Sequence, residues 1–322
     1  MTMKRNNNNN NNNIIFFGTT DFAVASLEKL NTNFNVKAVV TSLDKPAGRG
    51  LKIRESKVKK YAKQHGLQIL QPSNLKDPLF LEVLNSFKCQ LFVVVAFRML
   101  PKSVWNMPKF GTVNLHASIL PNYRGAAPIN WVIINAEKET GVTTFFLNEN
   151  IDTGDIIDLK KTTICPKETA GELHERLKII GSELLVKTTK SIFDKKYKLI
   201  PQQDSYSKKT APKLTKENCK INWFNNSERI FNKIRGLNPN PGATCTLINF
   251  KTELKVIIYT CEIEICKNNF NPGRIIIEKK KIKISTNNGF IIPLEIKIQG
   301  KRKMYIQDLL NGFKFDENAI FI

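Results

Sequence analysis

Short, wholly apolar runs alternate with stretches of helical periodicity over the first two thirds of the chain, and period-two runs dominate the last third. Ile14-Ile15-Phe16-Phe17 ends at Gly18, the pattern of a parallel strand buried on both faces. Thr20-Asp21 offers an N-cap, and residues 22–30 place apolar side chains at helical spacing. Residues 36–40, 68–70, 91–96, 111–116 and 142–147 read as further strands, and 57–65, 125–135 and 169–193 as helices. This alternation predicts an α/β fold, a doubly wound Rossmann-like parallel sheet whose strands present their C-terminal ends at the edge where ligands bind.

After Lys198 the pattern changes. Residues 201–213 are polar, with Pro201 and Pro212 at the ends, and the stretch 199–212 reads as a linker. Beyond them come Trp223, a helix at 228–235, the turn Asn238-Pro239-Asn240-Pro241-Gly242, and apolar runs at 252–261, 273–278, 281–286 and 290–298. That spacing predicts a smaller OB-like β-barrel domain. The expected organisation is a disordered Asn-rich tail over 1–13, an α/β domain over 14–198, a linker over 199–212 and a barrel over 213–322.

Composition narrows the function. No apolar run approaches the length of a membrane span, and the N-terminus has no apolar segment of a secretory signal, so the cytoplasm is expected. The six cysteines form no CxxC pair and only three histidines are present, so neither a zinc cage nor a disulfide framework is expected. The formal net charge is +22, spread over both halves of the chain. Lysine supplies 40 of the 50 basic residues. Base composition of the genome alone can produce such a skew, so only the remainder of the charge argues for a polyanionic partner.

The first glycine turn, Gly18-Thr19-Thr20-Asp21, lacks the later glycines of a dinucleotide fingerprint and puts an acid where a pyrophosphate would approach. The richer stretch runs from Asn114 to Pro128. Asn114 and His116 lie two apart at the end of an apolar strand and so share a face. Asp152 follows in Asn150-Ile151-Asp152-Thr153-Gly154-Asp155. If that turn returns to the same sheet edge, an oxyanion donor, an imidazole and a carboxylate converge, the set an acyl transfer needs. Taken singly, each has a bland reading: a structural histidine, an amide satisfying backbone groups, an ordinary turn.

Ser118-Ile119-Leu120-Pro121 and Arg124-Gly125-Ala126-Ala127-Pro128, with Asn114, His116 and the later Asp152, resemble the signature of the 10-formyltetrahydrofolate-dependent formyltransferases. The likeness spans about residues 14–310. It implies that Asn114, His116 and Asp152 are catalytic: Asn114 donates to the oxyanion, a protonated His116 adds a charged donor, and Asp152 holds His116 and accepts a proton. No metal is expected. 10-Formyltetrahydrofolate is the implied donor. Ser118, Ile119, Leu120 and Pro121 follow the catalytic strand and are expected to line its pocket, with Phe97, Arg98, Met99 and Leu100 as the opposite wall.

Three further segments are similar to those of the family members that act on initiator methionyl-tRNA: residues 44–52, 211–221 and 234–239. The first implies a flexible basic loop gripping the acceptor arm, with Arg49, Lys52, Arg54 and Lys57 as contacts and Arg49 foremost. Lys209, Lys213 and Arg302 are the expected contacts farther along the chain. Asn222 and Asn240 depart from the pattern, standing where Asp and an aromatic residue are expected. A monomer is expected. Two rivals stand beside this reading: a sister enzyme that formylates an amino-sugar nucleotide, and a tRNA-binding protein that has lost catalysis.

Overall fold

The computed structural model describes residues 12–47, 52–203 and 209–322. It divides into two compact units, one drawn from residues 1–125, 140–162 and 174–210, the other from 126–139, 163–173 and 211–322. Among the described residues, no helix is long and apolar enough to cross a membrane.

Strands β1 (Asn13–Gly18), β2 (Asn35–Val40), β3 (Lys45–Ala47), β4 (Lys52–Arg54), β5 (Gln68–Leu70), β6 (Leu91–Val95), β7 (Thr112–His116), β8 (Arg124–Gly125), β9 (Glu139–Phe146) and β10 (Ile156–Thr163) come first in chain order. Helices α1 (Asp21–Asn33), α2 (Lys57–Gln64), α3 (Pro78–Ser86), α4 (Lys102–Trp105), α5 (Pro128–Ile134) and α6 (Ala170–Phe193) accompany them. Seven of the strands make one sheet in the order β10-β9-β7-β6-β1-β2-β5. From β5 through β7 the neighbours run parallel, as the α/β reading expects. β9 then reverses beside β7. Ile14, Ile15, Phe16 and Phe17 are all fully buried, which is why β1, an interior strand between β6 and β2, shows no polar alternation.

Several local expectations needed correction. Residues 1–11 of the asparagine-rich tail lie outside the described residues, but Asn12 and Asn13 are not tail. Asn35 donates its backbone N–H to the Asn12 carbonyl at 3.3 Å and its amide Nδ2 to Asn13 Oδ1 at 2.8 Å. Thr20 stands at the N-cap of α1 without a side-chain cap bond. The helix expected from Gly125 starts only at Pro128, whose ring suits a first helical position while disfavouring helical backbone before it. β10 escaped the sequence reading because it is an edge strand, buried only at Ile156 and Ile157 and charged at Asp158, Lys160 and Lys161. The expected linker is bonded chain: Ile200 and Ile156 exchange backbone hydrogen bonds, both at 2.9 Å.

After β11 (Thr210–Ala211) at the boundary between the units, the second unit runs through α7 (Ser227–Leu237), β12 (Ala243–Asn249), β13 (Thr252–Ile265), β14 (Ile275–Glu278), β15 (Lys281–Thr286), β16 (Gly289–Ile298), β17 (Met304–Tyr305), α8 (Ile306–Leu310) and β18 (Ile320–Phe321). The sheet order is β14-β15-β16-β13-β12-β18, with β17 added on β16. It curls until its ends meet: Arg274 bridges Ile320, and Phe321 N donates to Gly273 O at 2.9 Å. β12, missed in the sequence, alternates cleanly, turning Ala243, Cys245 and Leu247 into a core that also holds Trp223, Ile282, Ile291 and Phe321. Gly273 makes the closure possible. Its φ is +90°, and a Cβ there would lie 2.1 Å from the Phe321 carbonyl oxygen. Gly273→Ala is expected to destabilise this unit by about 3 kcal/mol, read as a fall in its unfolding midpoint in urea or heat.

Candidate active site

β7 ends at the edge where the parallel strands present their carboxyl termini. It carries Asn114 opposite Phe145 and His116 opposite Thr143 of β9, so both side chains project from the same face. His116 is buried, with 7 % of its surface exposed, whereas Asn114 is half-buried. The Asn114 carboxamide makes no hydrogen bond among the described residues, leaving its N–H groups available to a ligand.

The turn after β9 brings Asp152 to the same place. His116 Nδ1 lies 3.6 Å from Asp152 Oδ2, and the two side chains are 8 % and 12 % exposed. On the far side of the ring, Nε2 lies 2.8 Å from the Tyr123 carbonyl. A carbonyl can only accept, so Nε2 carries a proton and donates it there, and Nδ1 faces the carboxylate. Asp152 Oδ2 is held by the backbone N–H of Gly125 at 2.9 Å, while Oδ1 makes no hydrogen bond among the described residues. The residues expected to be catalytic therefore come together, the His–Asp link being a 3.6 Å contact rather than a short hydrogen bond.

This geometry uses backbone that few residues adopt. Asp152 has φ +54° and Tyr123 φ +61°, a left-handed region tolerated by Asp and costly for Tyr. Gly125, at φ +122°, occupies a conformation natural only to glycine, and so directs its N–H at Asp152.

The sequence profile of the formyl transferase family matches residues 12–189, and that of the formyl transferase C-terminal domain matches 213–314. The chain belongs to the formyl transferase family. Among its relatives, the methionyl-tRNA formyltransferase of Flavobacterium johnsoniae is 49 % identical over 303 residues, covering 94 % of this chain and 96 % of that one. The methionyl-tRNA formyltransferase of Bacteroides fragilis is 43 % identical over 306 residues, covering 93 % and 94 %. Among solved structures, the sugar 3N-formyl transferase WlaRD, crystallised with dTDP and 5-N-formyl-THF, superposes with a TM-score of 0.63 at 22 % identity, covering 90 % of this chain and 98 % of that one. HypX of Aquifex aeolicus in complex with tetrahydrofolic acid gives 0.60 at 17 % identity, covering 94 % of this chain and 48 % of that one.

The other expected site residues of this formyl transferase meet different fates. Ser118 is fully buried; its Oγ donates to the Asn122 carbonyl at 2.8 Å, and its own carbonyl accepts from Thr143 Oγ1 at 2.7 Å. Leu120 packs with Phe145 and Ile156. Only Ile119 and Pro121 of that quartet keep partly exposed side chains. Leu100 and Phe97 belong to the core around Phe17 and Phe92. Arg98 and Met99 are exposed and border a pocket of about 570 Å³ with residues 73–76 and 100–103. That pocket contains none of Asn114, His116 and Asp152. Arg98 donates to the carbonyls of Ser73 and Pro72 at 3.0 and 2.6 Å, which fixes this wall.

Arg49 lies outside the described residues, as does the Lys52 side chain. The loop that should carry them stands on a hairpin rather than a free segment, with β3 paired antiparallel to β4, Lys45 opposite Arg54. Asp44 Oδ2 meets Lys59 Nζ at 2.5 Å, and Gln71 donates to Asp44 Oδ1 and the Ser42 carbonyl. Lys59 and Gln71 hold the Asp44 carboxyl below the usual carboxylate range. Arg54 and Lys57 are exposed, as are Lys209 and, in the second unit, Lys213 and Arg302.

Sequence reasoning missed the roles of Tyr123, Arg124, Gly125 and Gln202. Arg124 and Gly125 were visible in the motif, but without a partner to explain them. Gln202 donates Nε2 to the carbonyls of Asp152 and Gly154 at 3.0 and 2.7 Å, and sat in what read as a linker.

Proposed function

We propose that this formyl transferase moves the formyl group of 10-formyltetrahydrofolate onto the α-amino group of methionine carried by initiator tRNA. The observation that carries the chemistry is the convergence of Asn114, His116 and Asp152 at the end of β7. The near full-length kinship with methionyl-tRNA formyltransferases supports the acceptor.

The neutral amine attacks the formyl carbon, forming a C–N bond and a tetrahedral oxyanion. Asn114 Nδ2 donates to that oxygen. The nitrogen, now cationic, loses a proton to Asp152, whose Oδ1 is available and whose Oδ2 faces His116 Nδ1. Collapse of the intermediate breaks the bond to the folate nitrogen, which departs with a proton shared by Asp152 and His116. The products are formylmethionyl-tRNA and tetrahydrofolate. Each positioned acid–base group contributes about 10²–10⁴-fold in such a step.

The test offers labelled 10-formyltetrahydrofolate with charged initiator tRNA, charged elongator tRNA and a UDP-amino-sugar side by side. Label should pass to initiator methionyl-tRNA. Passage to the sugar instead would overturn the acceptor, and passage to none would overturn the enzyme reading.

The hairpin makes a separate expectation. Arg49, which falls between β3 and β4 in the sequence, is proposed to pair with phosphate or stack on a base of the acceptor arm. Arg49→Ala should raise the KM for tRNA, leave folate binding unchanged, and flatten the salt dependence of tRNA binding by about 0.7–0.9 of a log–log unit. Unchanged tRNA kinetics across several salt concentrations would count against this contact.

A further inference from the structure

Asp152 sits on a turn that needs holding. Its φ of +54° lies in the left-handed region, and the neighbouring Ile151 is 61 % exposed rather than packed. Gln202 takes part in a closed circuit of hydrogen bonds around this turn. Its Nε2 spans the carbonyls of Asp152 and Gly154. Its Oε1 accepts from Arg124 Nε at 3.1 Å and Nη2 at 2.8 Å. The next residue, Gly125, donates its backbone N–H to Asp152 Oδ2. One carboxamide thus uses both donor hydrogens and its acceptor oxygen, and a flipped amide would face two carbonyls with its oxygen and a guanidinium with its nitrogen. Two residues earlier, the reciprocal Ile200–Ile156 bonds fix where the Gln202 backbone lies.

We infer that Gln202 is a positioning residue for formyl transfer, holding the Asp152 carboxylate at the distance from His116 and the acceptor amine that proton transfer requires. This rests on Asp152 being the proton acceptor proposed above. A general base must stand within hydrogen-bond reach of its proton, and misplacement by about 1 Å costs on the order of a hundredfold in rate. Gln202 touches neither reacting atom in this scheme, so its effect falls on turnover and passes through Asp152.

The test compares Gln202→Ala and Gln202→Glu with the unaltered protein. The glutamate keeps an acceptor for Arg124 but loses both donors to the turn. Each variant should lose about thirtyfold in kcat, with KM for both substrates within about twofold of the starting value. In an Asp152→Asn background, Gln202→Ala should cost less than about threefold more, because the group it positions no longer accepts a proton. The inference is overturned if kcat falls less than about threefold, if only KM moves, or if the full loss reappears in the Asp152→Asn background. Circular dichroism and a melting curve check folding, and if the alanine variant unfolds, the glutamate variant decides by the same criteria. Should the protein formylate a different amine, the acceptor reading falls, while the same kcat comparison on that amine still decides the role of Gln202.

Discussion

Alanine at Asn114, His116 or Asp152 is expected to lower formyl-transfer turnover by at least about a hundredfold while leaving tRNA binding largely intact. In the proposed scheme the three act on one transition state. Asn114 offers N–H groups that nothing in the described protein uses, and His116 and Asp152 face each other at 3.6 Å. Their losses should therefore combine far less than multiplicatively, a double variant costing little more than the worse single one. Asp152→Asn is the sharper probe, because an asparagine oxygen can still accept from Gly125 N while the amide cannot take up a proton. It should match Asp152→Ala in lost turnover and exceed it in retained stability. Single-turnover rates under saturating folate and tRNA measure the effect. A His116→Ala enzyme that kept most of its turnover would remove the trio from the mechanism.

Gly154→Ala should be nearly as damaging, although this residue touches no substrate in the scheme. A Cβ at Gly154 would lie 1.7 Å from the Phe146 carbonyl oxygen and 2.8 Å from its carbon. Both obstacles are backbone of β9, so relief must come from the turn itself moving off the strand. Phe146 N is meanwhile bonded to the Asp155 carbonyl at 3.1 Å, which ties the turn to the strand at the next residue. Displacement by an ångström or more carries Asp152 away from His116, and turnover should fall by about a hundredfold. Far-ultraviolet dichroism should be preserved and tRNA affinity nearly so. Near-normal kcat in a folded Gly154→Ala protein would show that the turn is not held against β9 as described.

Comparing these sites with the sequence shows which physics is local. The apolar runs of β1 and β6 were legible because strands buried on both faces carry no polar alternation, while β7 alternates Thr112, Asn114 and His116 with Val113 and Leu115, and with it came the sheet edge and two members of the trio. Asp152 was legible only as a motif, since its return to β7 depends on β9 reversing direction. The α3 start was written in Asp77-Pro78, an N-cap accepting from Leu79 N followed by a proline at the first helical position, and it went unread. The pairing of β3 with β4 had no such sign, each arm being three residues long. Gln202 was illegible for a deeper reason. Its partners are backbone carbonyls some fifty residues away, and no pattern of side chains records where a backbone will return.

The seam of the C-terminal barrel bears on how the protein is made. β12 borders on β18, and the bridge from Arg274 to Ile320 completes the circle. A ribosome delivers β12, β13, β14, β15 and β16 long before it delivers Ile320 and Phe321. Until then the nascent barrel is an open sheet, with the β12 edge bonded to residues 219–221 at Thr244 but unpaired from Thr246 to Ile248, and with Leu247 and Ile282 facing an unfinished core. Exposed edges of this kind recruit other strands. The interval between translating Asn249 and translating Phe321 is therefore the window in which a slowed ribosome, or a scarce chaperone, would most reduce the yield of folded protein.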